Sequence, residues 1–268
     1  MRSRIHLLAV ITFVLVAPAG AQAQSLAQRV RNAPDGAVEL RYAVRPGVCG
    51  DGRNYFSIGG SMRIGQFTTH NGKLSTEPCL PGPVRVRLLK EGGAVRVTRV
   101  DVGTSTASAL RDAEYLGVVS APAAAEYFLD LASGDAGGSG AKAVTAAVLA
   151  DSTSVWRRLL VIARDADTRP KSTRREASFW LAQFVAAKLD GRDESLASFD
   201  DDDDARDDAK SSAIFALSQL HDREGIDPLL QIARTNRESR LRRKALFWLG
   251  QSDDPRALAL FGEILSRS

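Results

Sequence analysis

Three stretches of this chain align with one another without a gap: Arg174–Gln183 (RREASFWLAQ), Lys210–Gln219 (KSSAIFALSQ) and Arg242–Gln251 (RRKALFWLGQ). Ala177, Ala213 and Ala245 match, as do Phe179, Phe215 and Phe247, then Leu181, Leu217 and Leu249, then Gln183, Gln219 and Gln251. A second pattern also returns, Leu159–Arg164 (LLVIAR) against Leu229–Arg234 (LLQIAR). The matched alanines are 36 and 32 residues apart. At that spacing one unit is a helix pair that buries its apolar face only by stacking on a neighbour. The last unit shows both helices: Leu241, Ala245, Trp248 and Leu249 share one helical face, and Ala257, Leu260, Phe261, Ile264 and Leu265 form a second apolar set. Between them Gly250 suits a C-cap, an aspartate the next N-cap, and Pro255 the first turn.

Over roughly the last 110 residues the chain resembles the HEAT-repeat proteins. The likeness is to the lyase-like bacterial branch, whose repeats carry a Gly-x-x-Asp-Pro-Arg-Ala-type turn; here Gly250 precedes Asp254-Pro255-Arg256-Ala257. The resemblance implies an α-solenoid over residues 120–268, of about four helix pairs. Phe179 falls nearly opposite the stripe of Ala177, Trp180, Leu181 and Phe184, and such a wide apolar arc suits a helix with neighbours on both sides. The phenylalanine ladder is therefore expected in the core. The branch is named for proteins that attach bilin chromophores to cysteines, an activity of few members that does not carry over without matched catalytic residues.

Residues 1–23 read as a secretory signal: Arg2 and Arg4, the apolar run Ile5–Val16, then Ala21-Gln22-Ala23 as cleavage site before Gln24. The expected location is periplasmic or secreted, with no membrane span left after cleavage. Removing two arginines and no acids leaves 34 basic against 32 acidic residues. A nearly neutral mature chain argues against nucleic acid, which calls for a clustered basic face.

Residues 24–103 alternate β-formers with glycines. Val38–Val44, Tyr55–Ile58, Met62–Phe67 and the hairpin around Glu91-Gly92-Gly93 read as strands, with a phase shift between Val97 and Val100 that suggests a bulge. Cys49 and Cys79, the only cysteines, are expected to pair in an exported chain. Residues 104–119 read as a linker. The expected fold class is thus α+β multidomain: a small disulfide-tied antiparallel β domain followed by an all-α HEAT-like α-solenoid.

Catalytic signals are sparse. His70 and His221 are the only histidines after the signal, and neither lies in a nucleophile or metal-ligand pattern. The Asp200–Asp204 run lacks the central glycine and closing glutamate of a calcium loop and reads as solvated. No enzyme, metal or cofactor is expected. The expected function is an exported scaffold that binds protein or peptide partners; the alternatives are a lyase-like or other envelope enzyme, and an envelope structural module binding through its β domain. In HEAT-like solenoids the second helices line the concave side, which marks Arg164 and Arg234, extended by Arg157 and Gln231 and fading at Glu263 and Ser266. Arginine's planar fork suits carboxylates, so the expected partner presents an acidic segment. The competing role for these arginines is capping of helix C-termini.

Overall fold

The computed structural model describes residues 24–53, 55–58, 62–65, 69–70, 73–74, 79–103, 113–134, 138–151, 153–191 and 208–267, with backbone alone at 62, 63, 69, 70, 73, 74, 208 and 209. The signal, the Asp200–Asp204 run and most of the expected linker lie outside the described residues. Among the described residues no helix is long and apolar enough to cross a membrane.

A short helix α1 (Leu26–Asn32), opened by a Ser25–Gln28 capping box, precedes the sheet. β1 (Gly36–Tyr42) pairs antiparallel with β7 (Val84–Glu91), which pairs antiparallel with β8 (Ala94–Val102). Gly92 and Gly93 both adopt positive φ, as a two-residue hairpin turn demands. Opposite the Arg87–Leu88 step the partners jump from Arg99 to Val97, leaving Thr98 as the extra bulge residue. β2 (Val48–Gly50), β3 (Tyr55–Ile58) and β4 (Met62–Gly65) form a second, three-stranded sheet; β5 (Thr69–His70) and β6 (Lys73–Leu74) form a two-residue ladder. The expected disulfide is present between Cys49 and Cys79. Beside it Gly50 and Leu80 exchange both backbone hydrogen bonds at 3.0 Å. A Cβ on Gly50 would come within 2.3 Å of the Val102 carbonyl, so only glycine lets β2 approach the end of β8 this closely.

The separation into an antiparallel β domain and an all-α solenoid is corrected by three features. First, β9 (Ala113–Val118) falls within the stretch expected as linker and pairs parallel with β1, giving a mixed sheet in the order β8-β7-β1-β9. Second, α2 (Ala121–Gly134) and α3 (Gly140–Val148) share one core with that sheet. Ala143, Val144, Ala146, Ala147 and Val148 are all buried, because β8, α2 and α5 (Lys171–Leu189) enclose α3. The Tyr42 hydroxyl donates to the Ala146 carbonyl at 2.6 Å, and Arg45, 1% exposed, reaches across to the end of α3. Its Nε donates to Val148 O at 3.0 Å, its Nη2 to Thr153 O at 2.7 Å, and its guanidinium lies over the Phe184 ring. Asp151 N and Arg45 N complete the joint with Ala43 O and Leu149 O. A cation at the carbonyl end of a helix is the favourable sign.

Third, the helix pairs do not continue one array. α4 (Trp156–Arg164) and α5 form one pair, α6 (Asp208–Ser218) and α7 (Ile226–Thr235) another, α8 (Ser239–Gln251) and α9 (Pro255–Ser266) the last. The last two stack in parallel register, as repeats do: Lys210 meets Glu238, Phe215 meets Trp248, Asp227 meets Arg256 and Arg234 meets Glu263. But α8 runs antiparallel to α5, with Arg174 on Asp253 at 2.9 Å at one end and Arg243 on Asp190 at 3.0 Å at the other. Likewise Leu160 and Arg164 of α4 lie against Gly262 of α9, with Arg164 reaching back to Leu258 O. α6 packs on α8 and α7 rather than on α5, so the second of these pairs in sequence is the outermost in space.

Candidate functional site

The four expected binding positions fall on one side of the helical layer but do not form a continuous basic stripe. Arg157, exposed, lies over the Trp156 ring. Arg164 donates to Leu258 O at 3.5 Å, Arg234 pairs with Glu263 at 3.0 Å, and Gln231 is exposed one turn earlier. α9 stands between the two arginine helices, and Glu263, also held by Arg267, faces Arg234. Hydrogen bonds from Arg267 and then Arg234 keep the Glu263 carboxyl below its ordinary range. The structure brings Arg234 to an acid and Arg164 to a carbonyl of α9.

A concave site lies instead at the outer end of the layer, where α6, the 3₁₀ turn His221–Arg223 and α8 meet. Its volume is about 250 Å³. Gly225 sits on the end of α6 so tightly that a Cβ would fall 1.8 Å from Leu217 O, and Asp222 and Arg223 take left-handed backbone angles to bring the chain there. Trp248 and Leu217 line its apolar side, with Gln219, Gln251, Arg175 and Arg223 as polar groups. Arg223 is 3.4 Å from Asp254, the buried N-cap of α9; no ion pair engages Arg175 among the described residues. Burial works to raise the Asp254 carboxyl, but hydrogen bonds from Arg256 and the charges of Arg256 and Arg223 hold it below its ordinary value.

An aromatic ladder through the three phenylalanines touches this site at Trp248 and leaves the core at the next ring, Phe215. Trp180, Phe179, Phe247, Trp248 and Phe215 follow one another at centroid distances between 5.0 and 6.3 Å. Trp180 is fully buried, Phe179, Phe247 and Trp248 are half-buried, and Phe215 is 49% exposed. Sequence reasoning placed all three phenylalanines in the core. The overlooked signal is Ala216, which stands where the other two repeats carry Trp180 and Trp248.

A second concavity, about 360 Å³, opens between β8, the β3–β4 hairpin and α3. Thr145 of α3 lines it and donates at 2.6 Å to Glu176, which Trp180 Nε1 also meets at 2.8 Å. Burial pushes the Glu176 carboxyl above its ordinary value despite both hydrogen bonds. A carboxyl raised on folding stabilises the fold fully below its unfolded pKa, and that contribution is lost as pH rises through the folded value. Glu176→Gln, which keeps the acceptor oxygen but cannot ionise, should therefore match the native melting temperature near pH 4 and exceed it near pH 7. Parallel melts across that range check the sign; a native protein more stable at pH 7 would mean that the carboxylate is held charged.

His221 is exposed on the 3₁₀ turn, and only the backbone of His70 is described. Among the described residues no three His, Cys, Asp or Glu side chains gather closely enough to hold a metal ion. No protein-family model, curated protein or solved structure matches this chain.

Proposed function

We propose that this chain is an exported, non-catalytic binding module that captures protein or peptide segments in the site between α6 and α8. The observation that carries this reading is the half-exposed Phe215, packed at 5.2 Å against Trp248, which itself lines a concavity whose polar groups are amides, hydroxyls and arginines. Aromatic and arginine side chains around a desolvated hollow are the usual composition of an energetic anchor point. Arg175, without an acidic partner among the described residues, adds a planar donor for a carboxylate. The ligand is then a segment that sets a bulky apolar side chain beside an acidic group. The secretory pattern before Gln24 and the Cys49–Cys79 bond support a periplasmic or secreted setting, since disulfides persist where the surroundings oxidise.

The test is selection of displayed peptides on the mature chain. Enriched peptides should share an aromatic or aliphatic residue next to Asp, Glu or the C-terminal carboxylate. Phe215→Ser and Arg175→Gln should each weaken the best peptide by about tenfold or more, with unchanged melting temperatures. Peptides that bind both variants as well as the native protein would place binding elsewhere. An unenriched selection would remove the peptide-binding reading.

A further inference from the structure

The cleft between β8, the β3–β4 hairpin and α3 is independent of the α6–α8 site and differs from it in chemistry. One wall is cationic. Asp101 is buried, and both of its oxygens are taken: Arg85 meets Oδ2 at 3.2 Å, and Arg99 Nε meets Oδ1 at 2.8 Å. Arg85 is itself buried, and its Nε has no hydrogen-bond acceptor. Across the cleft Lys142 of α3 donates to the Thr98 carbonyl at 2.9 Å, a neutral acceptor, and no acid pairs with it among the described residues. Arg99 and Lys142 thus line the cleft beside a single carboxylate, Asp101, which Arg99 already shares with the buried Arg85 behind it, itself also bound to Gly52 O. The opposite wall is apolar, formed by Tyr55, Phe56 and Ile64 with Val100 of the strand.

We infer that this cleft binds a small oxyanion carried on an apolar body, either a carboxylate or a phosphate. Among the lining residues the cations outnumber the one acid, Asp101, which leaves the site short of negative charge. A low-dielectric wall behind them strengthens attraction for an anion relative to open water. The volume of about 360 Å³ lies at the small end of ordinary ligand pockets, which excludes a folded partner and fits a single ring or short acyl group. Lys142 bridges helix and strand while keeping two ammonium protons uncommitted by its bond to Thr98, so it meets the ligand without losing its structural contact. A bare inorganic ion would leave the aromatic wall wet, and a neutral ring would leave the cations unpaired.

Calorimetric titration of the full mature chain tests this with four probes: phenyl phosphate, phenylacetate, inorganic phosphate and benzyl alcohol. Saturable binding is expected for at least one of the first two, and which one identifies the headgroup. Inorganic phosphate and benzyl alcohol should each bind about tenfold more weakly or worse. Lys142→Met should weaken the preferred probe by about tenfold, Lys142→Arg should restore most of it, and added salt should lower affinity. Inorganic phosphate binding as tightly as the aromatic probe would overturn the apolar half of the inference. No binding by any probe, or affinity unchanged in a folded Lys142→Met protein, would overturn it entirely.

Discussion

Replacing Arg45 with alanine should cost about 3–5 kcal/mol and move the unfolding of sheet and helices together. The side chain is 1% exposed and supplies donors to Val148 O, on the last residue of α3, in a buried bond, and to Thr153 O, a few residues beyond it, in a partly buried one. Truncation leaves those acceptors without their charged donor and opens a void under Phe184. The position also decides how the chain is partitioned. All three tryptophans lie in helices α4, α5 and α8, so fluorescence reports the helical side, while amide exchange in β1 and β7 reports the sheet. In Arg45→Ala both should lose stability by the same amount, because one core joins them. Strand amides that keep native protection while the fluorescence transition shifts would mean that the sheet folds as its own unit.

How far the sequence discloses this architecture depends on the range of the interactions that set it. Local patterns were legible: the Gly92-Gly93 hairpin, the phase slip that becomes the Thr98 bulge, and the Asp254-Pro255 start of α9 are each fixed by a few adjacent residues. Repeat pairing was legible too, and the last two hairpins do stack in register. What failed was the extension of that register to α5. The segments around Phe179 and Phe247 are nearly identical, yet their helices run antiparallel. An aromatic and alanine face packs in either direction, and the antiparallel arrangement is the one that pairs the charges at the ends, Arg174 with Asp253 and Arg243 with Asp190. β9 was missed for a related reason. A strand paired in parallel takes its partner from far back in the chain, here Gly36–Tyr42, and no turn signal announces it. Arg45 gave no warning at all: beside Pro46-Gly47 it looks like a surface arginine in a turn.

The binding sites were legible only in part. The arginines of α4 and α7 stood out through repetition, but repetition marks what a fold reuses, and here Arg164 and Arg234 are both turned toward α9. The α6–α8 site was written in a departure from the repeat, Ala216 for tryptophan, which leaves Phe215 with one aromatic neighbour among the described residues. The cleft beside α3 draws its groups from separate segments, Arg99 on the sheet and Lys142 on a helix, and no spacing rule links them.

Changing Cys49 and Cys79 together to serine should lower stability by about 3–4 kcal/mol, or about 7–14 °C in melting temperature for a chain of this size. The bond spans 30 residues, and its loss frees that loop in the unfolded chain while the folded contacts remain. Among the described residues β2 to β4 form a sheet of short strands, attached to β8 at its edge and to Leu80 through Gly50, with Val48, Phe56 and Ile58 reaching the common core. A three-stranded sheet of that size holds little apolar area of its own. The loosened part therefore includes Tyr55, Phe56 and Ile64, the apolar wall of the cleft beside α3, whereas Phe215, Trp248 and Arg175 lie wholly outside the loop. The double serine protein should then lose affinity for the aromatic oxyanion probe before it loses affinity for a selected peptide, and reduction of the native protein should reproduce that order. Equal loss at both sites would show that the sheet edge and the far end of the helical layer unfold as one, with the disulfide clamping the whole molecule. A melting temperature unchanged by the double substitution would show that the β2–β4 sheet holds its place by packing on β8 alone.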